Sequence, residues 1–106
     1  LLHCFASRKT RHHDYHLLIL GSGEEENKLK QTIHNLGISN SVDLLGYKEN
    51  SYKYLNKADC FILSSLWEDP GFVLLEAAYL NVPIIASDCP NGPTRNFKKW
   101  FRRVFI

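Results

Sequence analysis

An α/β fold, with a parallel sheet covered by helices on both faces, is what this 106-residue sequence predicts. Three features carry the prediction. Short apolar runs alternate with helix-like stretches along the chain. Each run is continuously apolar instead of alternating in polarity, the mark of strands buried on both sides. A helical connection follows each run, as parallel pairing demands.

Residues 1–10 place apolar side chains at positions 1, 2, 5 and 6, which reads as the end of a helix whose start lies upstream; Arg8, Lys9 and Arg11 suit its negative pole. Residues 16–20 (His16-Leu17-Leu18-Ile19-Leu20) form a first strand closed by Gly21. Residues 24–36 set Leu29, Ile33 and Leu36 at helical spacing, with acids at the start and Gly37 as the stop. A second strand covers 42–45, a short helix 51–57 and a third strand 60–63. A helix over 71–80 leads to a fourth strand over 83–87. Ligands of such sheets sit beyond the carboxyl ends of the strands, so the loops of interest are 21–24, 46–50, 64–72 and 87–94.

Composition narrows the possibilities. A hydrophobic share of 44% is that of an ordinary globular domain. No apolar run approaches the roughly 20 residues of a membrane span, and no leader peptide is visible, so a cytoplasmic location is expected. Cys4, Cys60 and Cys89 are odd in number and lack paired spacing, which predicts free thiols in a reducing compartment. The five histidines show no metal-site spacing. Of the 13 basic residues, five (Arg95, Lys98, Lys99, Arg102, Arg103) lie in 94–106, which holds no acid; the other eight face all 11 acids. The body of the chain is therefore mildly acidic, and nucleic acid is not an expected partner for it.

The richest loop is Ser64-Ser65-Leu66-Trp67-Glu68-Asp69-Pro70-Gly71-Phe72-Val73-Leu74-Leu75-Glu76, between the third strand and the helix over 71–80. Gly71 allows close backbone approach to a ligand, and the amides of 71–74 at a helix start form a ready anion site. Glu68 precedes the helix, while Glu76 lies beyond its first turn, where a carboxylate could accept two hydrogen bonds from a ribose diol. On the residues alone, the better reading of Glu68 and Asp69 is a solvated capping loop, and of Glu76 a surface residue.

Two glutamates separated by seven residues, in Glu68-Asp69-Pro70-Gly71-Phe72-Val73-Leu74-Leu75-Glu76-Ala77-Ala78, closely resemble the signature of the family-4 (group 1) retaining glycosyltransferases of the GT-B fold. Phe5-Ala6 and Leu18-Ile19-Leu20-Gly21-Ser22-Gly23 resemble that family's helix, strand and glycine loop. Val42 to Gly46, Ala58-Asp59-Cys60-Phe61-Ile62-Leu63-Ser64-Ser65 and Pro83-Ile84-Ile85-Ala86-Ser87-Asp88-Cys89-Pro90-Asn91-Gly92-Pro93 resemble three further segments, in order. The resemblance implies that residues 1–93 are part of a Rossmann-like, C-terminal nucleotide-sugar-binding domain. It implies that Glu68 contacts the donor sugar near the reaction centre and that Glu76 holds the ribose. It implies that amides at Gly71, Phe72 and Val73 meet the diphosphate or the sugar. Gly21 and Gly23 would border the nucleotide, with Tyr47 and Lys48 beside the base. The donor would be a UDP- or GDP-sugar, with no cofactor and no metal; no Asp-x-Asp metal motif occurs. The Trp67-Glu68-Asp69-Pro70-Gly71-Phe72 wording resembles members that build bacterial surface polysaccharide or lipopolysaccharide. A glycan or lipid-linked acceptor would then bind a missing amino-terminal domain, peripheral association of the full-length protein with the inner membrane face would suit that role, and this chain alone would not turn over.

After Thr94 the family expects a glutamate opening a helix, but this chain reads Arg95-Asn96-Phe97-Lys98-Lys99-Trp100-Phe101-Arg102-Arg103-Val104-Phe105-Ile106. Back-translated with AT-rich codons and shifted by one base, these letters give E-I-L-K-N-G-S-E-G-Y-L, the family's continuation. Residues 94–106 are accordingly expected to be a basic, frameshifted tail. Two other functions compete: a nucleotide-binding module without catalysis, which gives Glu68 no chemistry, and an interaction protein whose tail binds acidic partners. A glycosidase is disfavoured, because its two carboxylates must face each other across a bond.

Overall fold

The computed structural model describes residues 1–9, 14–68 and 71–90. The expectations for Asp69, Pro70 and the tail at 94–106 lie outside the described residues. The chain divides into two compact units, 1–49 and 50–106.

In the first unit, α1 (Leu2–Lys9), β1 (Leu17–Leu20), α2 (Glu26–Asn35) and β2 (Val42–Gly46) follow one another, with a 3-10 turn at Ser39–Ser41. The strands pair in parallel, as predicted, with Leu17 opposite Val42 and Ile19 opposite Leu44. Side chains alternate across a strand, so Leu17 and Ile19 share one face. That face packs with Leu2, Phe5 and Ala6 of α1 and with Leu29 and Ile33 of α2 around a core of Leu2, Ile33, Ile38 and Val42. On the opposite face Leu18 is 43% exposed. Both described helices of this unit thus cover the same side of its strand pair. The predicted helix over 24–36 starts two residues late: Glu24 and Glu25 form a turn, closed by the Glu26 N–H donating to the Gly23 carbonyl at 3.2 Å. Gly37 ends the helix at φ +66°, as its position predicts. At the other end of the strands, the His16 ring pairs with the Asp43 carboxylate at 2.9 Å.

The second unit runs α3 (Tyr52–Leu55), β3 (Phe61–Leu63), α4 (Phe72–Tyr79) and β4 (Ile84–Ala86). β3 and β4 are again parallel, with Phe61 opposite Ile84 and Leu63 opposite Ala86. Leu74 and Ala77 of α4 are the anchors, buried at 1% and 0% exposure. Leu74 packs with Ala86, Leu63 and Ile84, and Ala77 with Leu55, Val82 and Phe61. Positions 74 and 77 lie one turn apart on a helix face, so α4 is fixed in rotation as well as position. All three cysteines are free. Burial pushes the Cys60 thiol up, which keeps it protonated and chemically quiet.

Candidate functional site

The carboxyl ends of the strands carry the loops singled out above, and each unit builds its pair differently.

In the first unit the β1–β2 register slips between Ile19 and Leu20: Ile19 faces Leu44, but Leu20 faces Gly46. Leu45 is therefore an extra residue, a bulge that turns the strand end. The slip lets the Gly21 N–H donate to the Gly46 carbonyl at 2.9 Å. Both glycines hold left-handed backbone, at φ +121° and +67°, which an L side chain adopts only at a cost. Beyond them opens a cleft of about 250 Å³. Ile19, Leu20, Leu29 and Leu44 form its apolar wall, Gly21, Ser22, Gly23 and Gly46 its backbone rim, and Glu25 and Glu26 border it. Gly21 and Gly23, predicted from sequence, thus lie on a cavity. Tyr47 and Lys48 follow directly on Gly46 but are not among its lining residues; Tyr47 is 75% exposed. Glu25 pairs with Lys28 at 2.8 Å and Glu26 with Lys30 at 2.6 Å. Carboxylates at the start of α2 already complement its positive pole. That end is a poor place for a phosphate, and the cleft suits a flat, mainly apolar group.

In the second unit the start of α4 is the reverse case. Its first turn holds no acid, and its N-cap is Gly71 at φ +73°, ψ +44°, with no side-chain cap among the described residues. The expectation that amides 71–74 all point outward needs one correction: the Leu74 N–H donates to the Gly71 carbonyl at 3.0 Å. A turn this tight consumes the fourth donor. The amides of Gly71, Phe72 and Val73 precede any carbonyl the helix could offer them. Glu68 lies beside this opening: a Cβ built on Gly71 would stand 3.7 Å from its Oε2. It does not cap the helix. Its other oxygen, Oε1, accepts a hydrogen bond from the Ser65 hydroxyl. Glu76 is half-buried on α4, beyond the first turn as predicted and on the side of Val73. Phe72 is exposed.

Ser65 and Ser87 were missed as site residues. The Ser87 hydroxyl donates to the Ser65 carbonyl at 2.5 Å, its N–H to the Leu63 carbonyl at 2.9 Å, and the Glu68 N–H to the Pro90 carbonyl at 3.4 Å. The loop that carries Glu68 is thereby laced to the segment after β4. The sequence signal was present, since Ser87 directly follows one apolar strand and Ser65 stands two residues beyond another, but only the pairing of β3 with β4 brings them together. Among the described residues no cluster of His, Cys, Asp or Glu could hold a metal ion, and no helix is long and apolar enough to cross a membrane.

Comparison with known proteins places this geometry. An uncharacterised glycosyltransferase of Methanocaldococcus jannaschii is 47% identical over 77 residues, 73% of this chain and 19% of that protein. The apo structure of the lipopolysaccharide outer core galactosyltransferase WaaB superposes with a TM-score of 0.69 at 28% identity, over 76% of this chain and 24% of that one. HepE of Anabaena in complex with UDP-glucose superposes with a TM-score of 0.65 at 26% identity, over 72% of this chain and 22% of that one. The chain spans about a fifth to a quarter of the length of these relatives. The sequence profile of the glycosyl transferases group 1 matches residues 1–106, and the chain belongs to that family.

Proposed function

We propose that this chain is the donor-binding segment of a retaining, family-4 glycosyltransferase that moves a sugar from a nucleotide-sugar to a glycan or lipid-linked acceptor in bacterial surface polysaccharide or lipopolysaccharide synthesis. The observation that carries the reading is a carboxylate, Glu68, held beside Gly71 at the start of a helix whose first turn holds no acid. That pairing suits a sugar diphosphate, whose anionic half meets the amides while its hydroxyls donate to the carboxylate. Gly71, Phe72 and Val73 bind the diphosphate or the sugar, Glu76 accepts from the ribose, and the cleft at Gly21 and Gly23 borders the nucleotide. Tyr47 and Lys48 lie beside the base from the exposed end of β2. UDP-sugars are the donor class we assign, supported by the UDP-glucose complex of HepE. The galactosyltransferase similarity supports a lipopolysaccharide-type acceptor. The acceptor binds an amino-terminal domain, so the 106 residues alone bind donor without turnover, at the cytoplasmic face of the membrane in the full-length protein. No metal is required. Residues 94–106 are a frameshifted tail, which sequencing of the gene tests directly.

The experiment is a turnover assay of the full-length protein with UDP-glucose, in the presence of EDTA, with the anomeric configuration of the product read by NMR. Glu68→Gln lowers kcat far more than it weakens UDP binding, and the product keeps the donor's configuration. An inverted product, a requirement for divalent metal, or full turnover by Glu68→Gln would each overturn its part of this reading.

A further inference from the structure

We propose that Ser65 is the positioning residue for Glu68, with Ser87 holding Ser65 in place; the inference rests on the reading of Glu68 as the donor-sugar contact. A glutamate's terminal torsion is broad and nearly two-fold, so a loop carboxylate left to itself presents its oxygens in many orientations. Here one rotation is selected. The Ser65 hydroxyl occupies Oε1, and Oε2 is the oxygen left toward the start of α4. A hydroxyl has only one proton to donate, so Ser65 cannot serve both oxygens, and Oε2 remains the acceptor for a sugar hydroxyl.

The serine is itself fixed from behind. Its carbonyl accepts from the Ser87 hydroxyl, and Ser87 is fixed by its own N–H on the Leu63 carbonyl. Leu63 faces Ala86 in the β3–β4 register, which places Ser87 one step beyond the last paired residue of β4. A line of contacts therefore runs from the parallel strand pair through Ser87 and Ser65 to the carboxylate. The links are polar contacts that tie a loop back to the strand pair, the kind of support that holds a reacting group in place. The Glu68 N–H on the Pro90 carbonyl ties the same residue by its backbone, so the hydroxyl of Ser65 is left to control the carboxylate's rotation. A serine that served only to close the loop would not need its side chain on Glu68.

The test is kinetic, in the full-length protein with UDP-glucose as donor. Ser65→Ala lowers kcat by roughly tenfold, the size of one lost hydrogen bond to a charged group, while KM for the donor moves less than about threefold. Ser65→Thr, which keeps the hydroxyl, restores kcat to within about threefold. In a Glu68→Gln background Ser65→Ala has no further effect, because residues that act as a unit are not additive. Ser87→Ala gives a smaller fall in kcat that also vanishes in the Glu68→Gln background, and it carries the test if Ser65→Ala fails to fold. The proposal is overturned if Ser65→Ala leaves kcat unchanged while Glu68→Gln lowers it, or if the serine effects are the same with and without Glu68. If Glu68→Gln itself leaves kcat unchanged, the assignment of Glu68 fails first and the role of Ser65 falls with it.

Discussion

The loops beyond β1 and β2 and those beyond β3 and β4 hang from the same kind of parallel pair but are built from different material. The first pair is shaped by backbone: two left-handed glycines, a strand bulge and a single amide-to-carbonyl bond, Gly21 to Gly46, leave a cleft with an apolar wall. The second pair is shaped by side chains: Ser87 to Ser65 and Ser65 to Glu68, above a helix start held down by Leu74. The helix starts differ in the same sense. Acids sit at the start of α2 and are absent from the first turn of α4. The lesson is a division of labour: a surface made of glycine and leucine can accept a flat ring without fixing any charge, whereas a charged, reacting moiety needs side chains held by other side chains.

Six substitutions would break or sharpen that contrast. Leu74→Ala removes the most buried large side chain among the described residues of the second unit and should cost about 2–4 kcal/mol in thermal or denaturant unfolding. Leu18→Ala, on the exposed face of β1, should cost well under half as much; similar losses would mean that burial does not separate these positions. Glu76→Gln should weaken donor binding by about 1–3 kcal/mol in calorimetry, as expected for loss of a charged acceptor, and unchanged affinity would exclude the ribose role. Gly71→Ala and Gly46→Ala each force a side chain into the left-handed region, at about 1–2 kcal/mol of stability. An added Cβ meets nothing within 4 Å at Gly46 but meets Leu74 and the Glu68 carboxylate at Gly71. Gly71→Ala puts a methyl beside the Glu68 carboxylate and should lower turnover, whereas Gly46→Ala, on the rim of the cleft, should act on donor affinity; the reverse pattern would erase the distinction. His16→Ala removes a half-exposed hydrogen bond to Asp43 at the far end of the strands and should change stability by less than about 1 kcal/mol.

The strands were legible because each is an apolar run stopped by glycine or serine: the prediction of 16–20 became Leu17–Leu20 and that of 60–63 became Phe61–Leu63. The helix over 71–80 was legible from Gly71 and the apolar spacing after it. Three things were not. The bulge at Leu45 is a property of register between two strands, and Leu44-Leu45-Gly46 reads the same with or without it. The late start of α2 turns on the Gly23 carbonyl catching the Glu26 amide, a local choice that a run of glutamates does not announce. The tie between Ser65 and Ser87 joins residues 22 positions apart. It exists only once β3 and β4 are aligned, so no window of sequence contains it. Family resemblance supplied Glu68 and Glu76; the physical reason that Glu68 can be held still was visible only in the fold.

The pairing pattern also sets how the chain can come together in time. Leu17 meets Val42 across 25 residues and Phe61 meets Ile84 across 23. These are short spans for parallel strands, whose slow formation comes from the entropy of closing long connections. Each pair can close using only residues of its own unit. The residues that line the first cleft, Ile19 to Gly46, all precede those of β4 in the chain. The glycine-built cleft can thus be in place before the loop that will carry Glu68 has met the strand that steadies it.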